Sequence, residues 1–125
     1  MTDTVKYTKD HEWIKVEGDI VWIGITAYAQ DALGDLVYVD LPETGRAVQK
    51  GDDFAVVESV KTAAEVYTPV AGEIVEVNDA LADDADLLKE DLTTGWIVKI
   101  KISDPSQLEE VMDKDAYDSY IAGLD

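Results

Sequence analysis

Residues 53–67 run Asp53-Phe54-Ala55-Val56-Val57-Glu58-Ser59-Val60-Lys61-Thr62-Ala63-Ala64-Glu65-Val66-Tyr67. Two apolar strand-like runs, 54–57 and 63–67, are separated by a few polar residues, so the stretch reads as a tight hairpin with Lys61 at its exposed tip. A hairpin needs neighbours to bury its apolar faces, and the rest of the chain supplies them. β-branched and aromatic runs recur, bounded by Gly, Pro, Asp and Asn, and six or more strands are expected.

Residues 12–16 and 20–25 flank Glu17-Gly18-Asp19, a loop of hairpin length. Thr26 is placed to cap a short helix ending at Leu33, with Gly34 as the left-handed residue that stops it. Strands are expected again at 36–41 and 73–77. The cleanest alternation, Val98, Ile100 and Ile102 against Lys99 and Lys101, puts three apolar side chains inward and two lysines in water. Two C-terminal helices are expected over about 104–122. The first starts at Asp104-Pro105 and carries Leu108, Val111 and Met112 as its stripe. The second is capped by Asp113, turns Ala116, Tyr117, Tyr120 and Ile121 toward the sheet, and ends at Gly123. Both stripes read as core packing. Pro42-x-x-Gly45-x-x-Val48 recurs as Pro69-x-x-Gly72-x-x-Val75. The recurrence hints at two similar half-sheets, with Lys61 in the connection between them.

Composition bounds the function. With 125 residues, 46% of them apolar, the chain makes a single domain over 1–125 that needs no disulfide or structural metal to fold. Cysteine is absent, so disulfides and thiolate metal sites are excluded. A formal charge of −18 argues against nucleic acid, whose binding depends on cations displacing counterions, and favours a monomer making transient encounters. The start, Met1-Thr2-Asp3-Thr4, lacks a secretory or transit pattern, so a cytoplasmic protein is expected. The longest apolar run, 20–25, is far short of the roughly 20 residues that cross a bilayer, and no membrane partner is expected.

Enzyme constellations are missing. There is no G-x-S-x-G elbow, P-loop, dinucleotide fingerprint or H-E-x-x-H helix. The lone His11 reads as structural or solvent-facing, and Asp83-Asp84-x-Asp86 lacks the glycine and distal glutamate of a calcium loop. Lys61 remains. An ordinary ammonium, with pKa about 10.4, is a poor nucleophile and a poor acid–base group at pH 7. On local chemistry it is a solvated turn lysine, or else a tether on which another enzyme places a prosthetic group.

The segment Val57-Glu58-Ser59-Val60-Lys61, followed by Val66-Tyr67-x-Pro69-x-x-Gly72-Glu73-Ile74-Val75-Glu76-Val77-Asn78, resembles the lipoylation segment of the glycine cleavage system H-protein family. Tyr7 with His11-Glu12-Trp13, Gly24-Ile25-Thr26, Ala29-Gln30, Leu33-Gly34-Asp35, Val39-Asp40-Leu41-Pro42, Gly95-Trp96, Lys99-Ile100-Lys101 and Asp115-Ala116-Tyr117 are similar to that family in the same order. The resemblance implies an all-β dominated hybrid barrel-sandwich: two antiparallel sheets with short flanking helices and the modified lysine on a hairpin turn. It implies a non-catalytic carrier with lipoate held on Lys61 as an amide. The aminomethyl group of glycine would pass from a pyridoxal-phosphate glycine decarboxylase to a tetrahydrofolate-dependent aminomethyltransferase. A dihydrolipoyl dehydrogenase would then reoxidise the dithiol. Enzymes that attach lipoate complete the set of partners.

By the same resemblance, Glu12 and Glu65 are expected beside the parked arm, where a carboxylate would retain a cationic amine. The alternative for both is an exposed glutamate on a strand edge. Relatives commonly carry Ser-Asp where this chain has Ala64-Glu65, so a hydroxyl contact there is lost. The segment Glu90-Asp91-Leu92-Thr93-Thr94 also departs from the family's loop. A biotin carrier would flank the lysine with methionines. A 2-oxoacid dehydrogenase lipoyl domain would read Asp-Lys-Ala and be shorter. A relay that hands lipoate to other apo-proteins stays open at this point.

Overall fold

The computed structural model describes residues 4–8, 11–84, 95–103 and 111–123. Among these described residues, nine strands and three helices follow in the order β1 (Thr4–Tyr7), β2 (Glu12–Glu17), β3 (Ile20–Ile25), α1 (Ala27–Leu33), β4 (Leu36–Asp40), β5 (Ala47–Val48), β6 (Asp53–Ser59), β7 (Ala63–Tyr67), β8 (Gly72–Val77), α2 (Ala80–Asp83), β9 (Val98–Ile102) and α3 (Lys114–Ala122). They form a six-stranded sheet, β1-β2-β3-β9-β8-β5, and a three-stranded sheet, β4-β6-β7. Every pairing is antiparallel, and neither sheet closes into a barrel. Among the described residues, no helix is long and apolar enough to cross a membrane.

The core lies between the two sheets because period-two alternation turns one face of each strand inward. Ile14, Val21, Ile23 and Ile100 from the larger sheet meet Val39, Val57 and Val66 from the smaller one, all buried in one cluster. The opposite face of the larger sheet is not simply wet. Trp22 stands between Lys15 on β2 and Lys99 on β9, whose Nζ atoms lie 4.6 and 4.0 Å from its ring centre. Lys99 also covers Trp96 and pairs with Glu76 at 3.3 Å. The expectation that Lys99 stands in water is therefore corrected: cation–π attraction folds its stem onto two indoles. Lys101 is exposed as expected.

Trp13 lies over Gly24, its cross-strand partner. A Cβ at Gly24 would sit 2.5 Å from Trp13 Nε1, so that position requires a glycine. The repeated motif brings its two copies side by side. Val48 pairs with Gly72 and Ala47 with Glu73, while Gly45 N–H donates to the Ile74 carbonyl at 2.7 Å.

The C-terminus is corrected in two respects. Val111 and Met112 are not helical, and Met112 instead exchanges two 2.7 Å backbone hydrogen bonds with Tyr7 because β1 is an edge strand with groups to satisfy. The rest of the helix expected from Asp104 lies outside the described residues. α3 forms where expected, with the Asp113 carboxylate accepting from Ala116 N–H at 2.8 Å, but Ala116 is exposed while Tyr117 is buried. Three short elements, β1, β5 and α2, were not expected. Asp83 of the acidic cluster falls in α2, and Asp86 lies outside the described residues.

Candidate functional site

The β6–β7 turn is built by Ser59. Its backbone N–H donates to the Thr62 carbonyl at 2.8 Å, while its hydroxyl oxygen accepts from Lys61 and Thr62 N–H, each at 3.2 Å. A serine that satisfies the turn's own donors fixes the backbone without using the lysine side chain. Val60 N–H donates to the Asp35 carbonyl at 3.0 Å and ties the turn to the start of β4. Lys61 is left exposed at the tip, as the hairpin reading requires.

The Lys61 stem runs back over the end of α1. Thr26 caps that helix, its hydroxyl oxygen accepting from Ala29 N–H at 3.3 Å, and Gly34 ends it at φ +80°. Only glycine takes that backbone without strain, and Lys61 Cε lies 3.4 Å from where a Cβ would stand. Beyond Gly34, between α1 and the β6–β7 hairpin, a cavity of about 210 Å³ opens. Its walls are apolar and small, with Ala29, Ala32 and Leu33 on one side and Val57, Ala64 and Val66 on the other. The polar groups gather around His11, Glu12, Tyr28 and Glu65.

The two glutamates therefore line one cavity, but they differ in kind. Glu12 is 2% exposed, which removes the strand-edge alternative for it. Its carboxylate accepts from the Thr8 hydroxyl at 2.8 Å and from Tyr67 N–H at 3.2 Å, joining the loop before β2 to the end of β7. Its own N–H donates to the Thr8 hydroxyl oxygen at 3.1 Å. Glu65 is exposed and accepts from the Tyr67 hydroxyl at 3.2 Å. A buried carboxylate held by two donors and an accessible one beside it make the cavity attractive to a cation.

His11 is not free in solvent. It adopts φ +68°, uncommon for a residue with a side chain, and its ring packs on Tyr28 with centres 4.5 Å apart. Its Nδ1 is hydrogen-bonded to the Tyr117 hydroxyl at 2.9 Å, and that hydroxyl also meets the Thr26 hydroxyl at 2.8 Å. Burial pushes the Tyr117 phenol above its ordinary value, partly offset by its hydrogen bond to Thr26. Tyr117 also stacks on Tyr7 at 4.9 Å, so α3 is pinned to the corner that carries the cavity's polar residues. Reading the sequence as core stripes placed Tyr117 inside but missed its hydroxyl. Tyr67 and Thr8 were missed as the donors that hold Glu12.

Known proteins are similar to this chain along nearly its whole length. The family model described as Glycine cleavage H-protein matches residues 5–123. The Glycine cleavage system H protein of Escherichia coli O7:K1 is 54% identical over 119 residues, covering 94% of this chain and 92% of that protein. That of Thermus thermophilus is 58% identical over 112 residues, covering 89% and 88%. The crystal structure of a glycine cleavage system H protein from Mycobacterium marinum matches with a TM-score of 0.85 at 36% identity, covering 98% of this chain and 99% of that one.

Proposed function

Because the chain belongs to the glycine cleavage H-protein family, the lipoyl carriers of the glycine cleavage system, we propose that lipoate is attached to Lys61 Nζ through an amide. The observation that carries this reading is an exposed lysine on a turn held by Ser59, with its stem against Gly34 at the end of α1, the helix that forms one wall of an apolar cavity. The fit is chemical as well as spatial: small alanine walls suit a saturated chain, and carboxylates suit an amine at its far end.

Held on Lys61, lipoate would supply redox-active disulfide chemistry able to accept a one-carbon amine unit. The chain's own residues bind, orient and shield. Ala29, Ala32, Ala64 and Val66 exclude water from the arm. Glu65 offers an accessible carboxylate to a cationic amine, and Glu12 holds the wall against which that amine rests. The chain itself is a non-catalytic carrier. Its partners are a glycine decarboxylase, an aminomethyltransferase, a dihydrolipoyl dehydrogenase and the enzymes that attach lipoate, which it meets in turn as a monomer.

Intact mass of the protein isolated from its own cells tests the reading. We expect the increment of one lipoyl group on the wild type and its absence from Lys61→Arg. An unmodified wild type from cells with an intact lipoylation pathway, or an unchanged mass in Lys61→Arg, overturns it. Paired Glu12→Gln and Glu65→Gln substitutions are expected to shorten the lifetime of the loaded carrier in water, and an unchanged lifetime removes these residues from the site.

A further inference from the structure

Among the described residues, exposed large apolar side chains are few, and three of the four gather at the Lys61 end of the smaller sheet. Val37, Tyr38 and Val60 are 57, 44 and 67% exposed, whereas the fourth, Val75, is 38% exposed on β8. Two of the three are outward because of a β-bulge. Leu36 opposes Ser59 and Tyr38 opposes Glu58, so Val37 is the extra residue, and both Val37 and Tyr38 face solvent while Leu36 and Val39 on either side are buried. Without the bulge, strict alternation would turn Tyr38 inward. The third, Val60, sits in the turn beside Lys61. Acidic residues Asp35 and Glu58 flank the patch and are exposed.

We infer that Val37, Tyr38 and Val60 are the docking surface for the enzyme that acylates Lys61, an enzyme presenting an apolar face with a basic rim. The inference rests on Lys61 being the attachment point, and reach decides among the partners. An enzyme that acts on the far end of an attached arm stands off by the length of that arm. An enzyme that forms the amide must bring an activated carboxyl group to Nζ, which extends only a four-carbon stem from the turn. Bond formation there expels the activating group and one proton, so the acyl donor's pocket closes around the turn and covers what lies beside it. An apolar patch at that spot, rimmed by acids on a strongly acidic chain, favours an apolar partner surface with cations at its edge.

The test is lipoylation of the unmodified protein by a purified lipoate ligase with lipoate and ATP, followed by intact mass. Val37→Ser/Tyr38→Ser/Val60→Ser is expected to raise KM for the carrier about tenfold or more with little change in kcat, and Asp35→Lys to raise it several-fold in a salt-dependent way. Val75→Ser is the control and should match wild type, and thermal unfolding of each variant confirms that it is folded. If the wild type is modified at Lys61 but the triple variant shows the same KM, the docking surface is refuted while the attachment site stands. If the triple variant is lipoylated normally but loses glycine–bicarbonate exchange, the patch serves the decarboxylase and the inference is overturned. If the wild type itself is not acylated at Lys61, the carrier reading fails first.

Discussion

Replacing Glu12 by alanine removes a carboxylate that bridges two distant parts of the chain. Its oxygens accept from the Thr8 hydroxyl at 2.8 Å and from Tyr67 N–H, 55 residues away, at 3.2 Å. Hydrogen bonds to a charged group contribute about 1.5–3 kcal/mol each, and a buried donor left unpaired adds its desolvation cost, so about 3–5 kcal/mol is expected. Glu12→Gln keeps the shape and one acceptor for Tyr67 N–H while losing the charge, at about 1–1.5 kcal/mol. An unfolding entropy of about 2.1 cal/mol/K per residue over 125 residues makes each kcal/mol about 4 °C in Tm. Alanine should therefore lower Tm by roughly 12–20 °C and glutamine by roughly 4–6 °C. Glu65→Ala, on an exposed side chain with one contact to Tyr67, should fall within about 0.5 kcal/mol of wild type. Urea unfolding followed by tryptophan fluorescence measures all three. The structural role given to Glu12 is refuted if Glu12→Ala unfolds within about 1 kcal/mol of Glu65→Ala.

Gly34→Ala should cost about 1–3 kcal/mol in urea unfolding, because the strain lies in φ +80° and the facing Lys61 Cε is the end of a flexible chain that moves aside. Tyr117→Phe should cost about 1–2 kcal/mol near neutral pH through loss of its contacts with His11 and Thr26. It should also flatten the alkaline limb of the stability curve. The folded phenol titrates above its ordinary 10.0, so above that pH the native state holds a proton the unfolded chain has lost, and wild-type stability falls as pH rises. Urea midpoints between about pH 8 and 11 that fall equally for both proteins would exclude that contribution.

What was legible in the sequence was what neighbours in the chain decide. The 53–67 hairpin, the Thr26 cap, the Gly34 stop and the alternation of 98–102 follow from local propensity and turn chemistry, and each is observed. What was not legible depends on pairing at a distance. β1 gains its place from Met112 as well as from β2, and β5 is two residues long, too short to leave a pattern. The hydroxyl of Tyr117 finds His11 across 106 residues of chain, a contact no spacing rule reports.

The two glutamates mark the boundary between these cases. Period two puts Glu12 in phase with Ile14 and Val16, on the inward face of β2. It puts Glu65 in phase with Ala63 and Tyr67, opposite to the inward Ala64 and Val66. An inward carboxylate at a strand end already implies fixed donors and a structural duty, and an outward one implies a side chain still available to a ligand. That division was present in the sequence. What alternation alone does not give is that a buried carboxylate from β2 and an exposed one from β7 line the same cavity, between α1 and the hairpin.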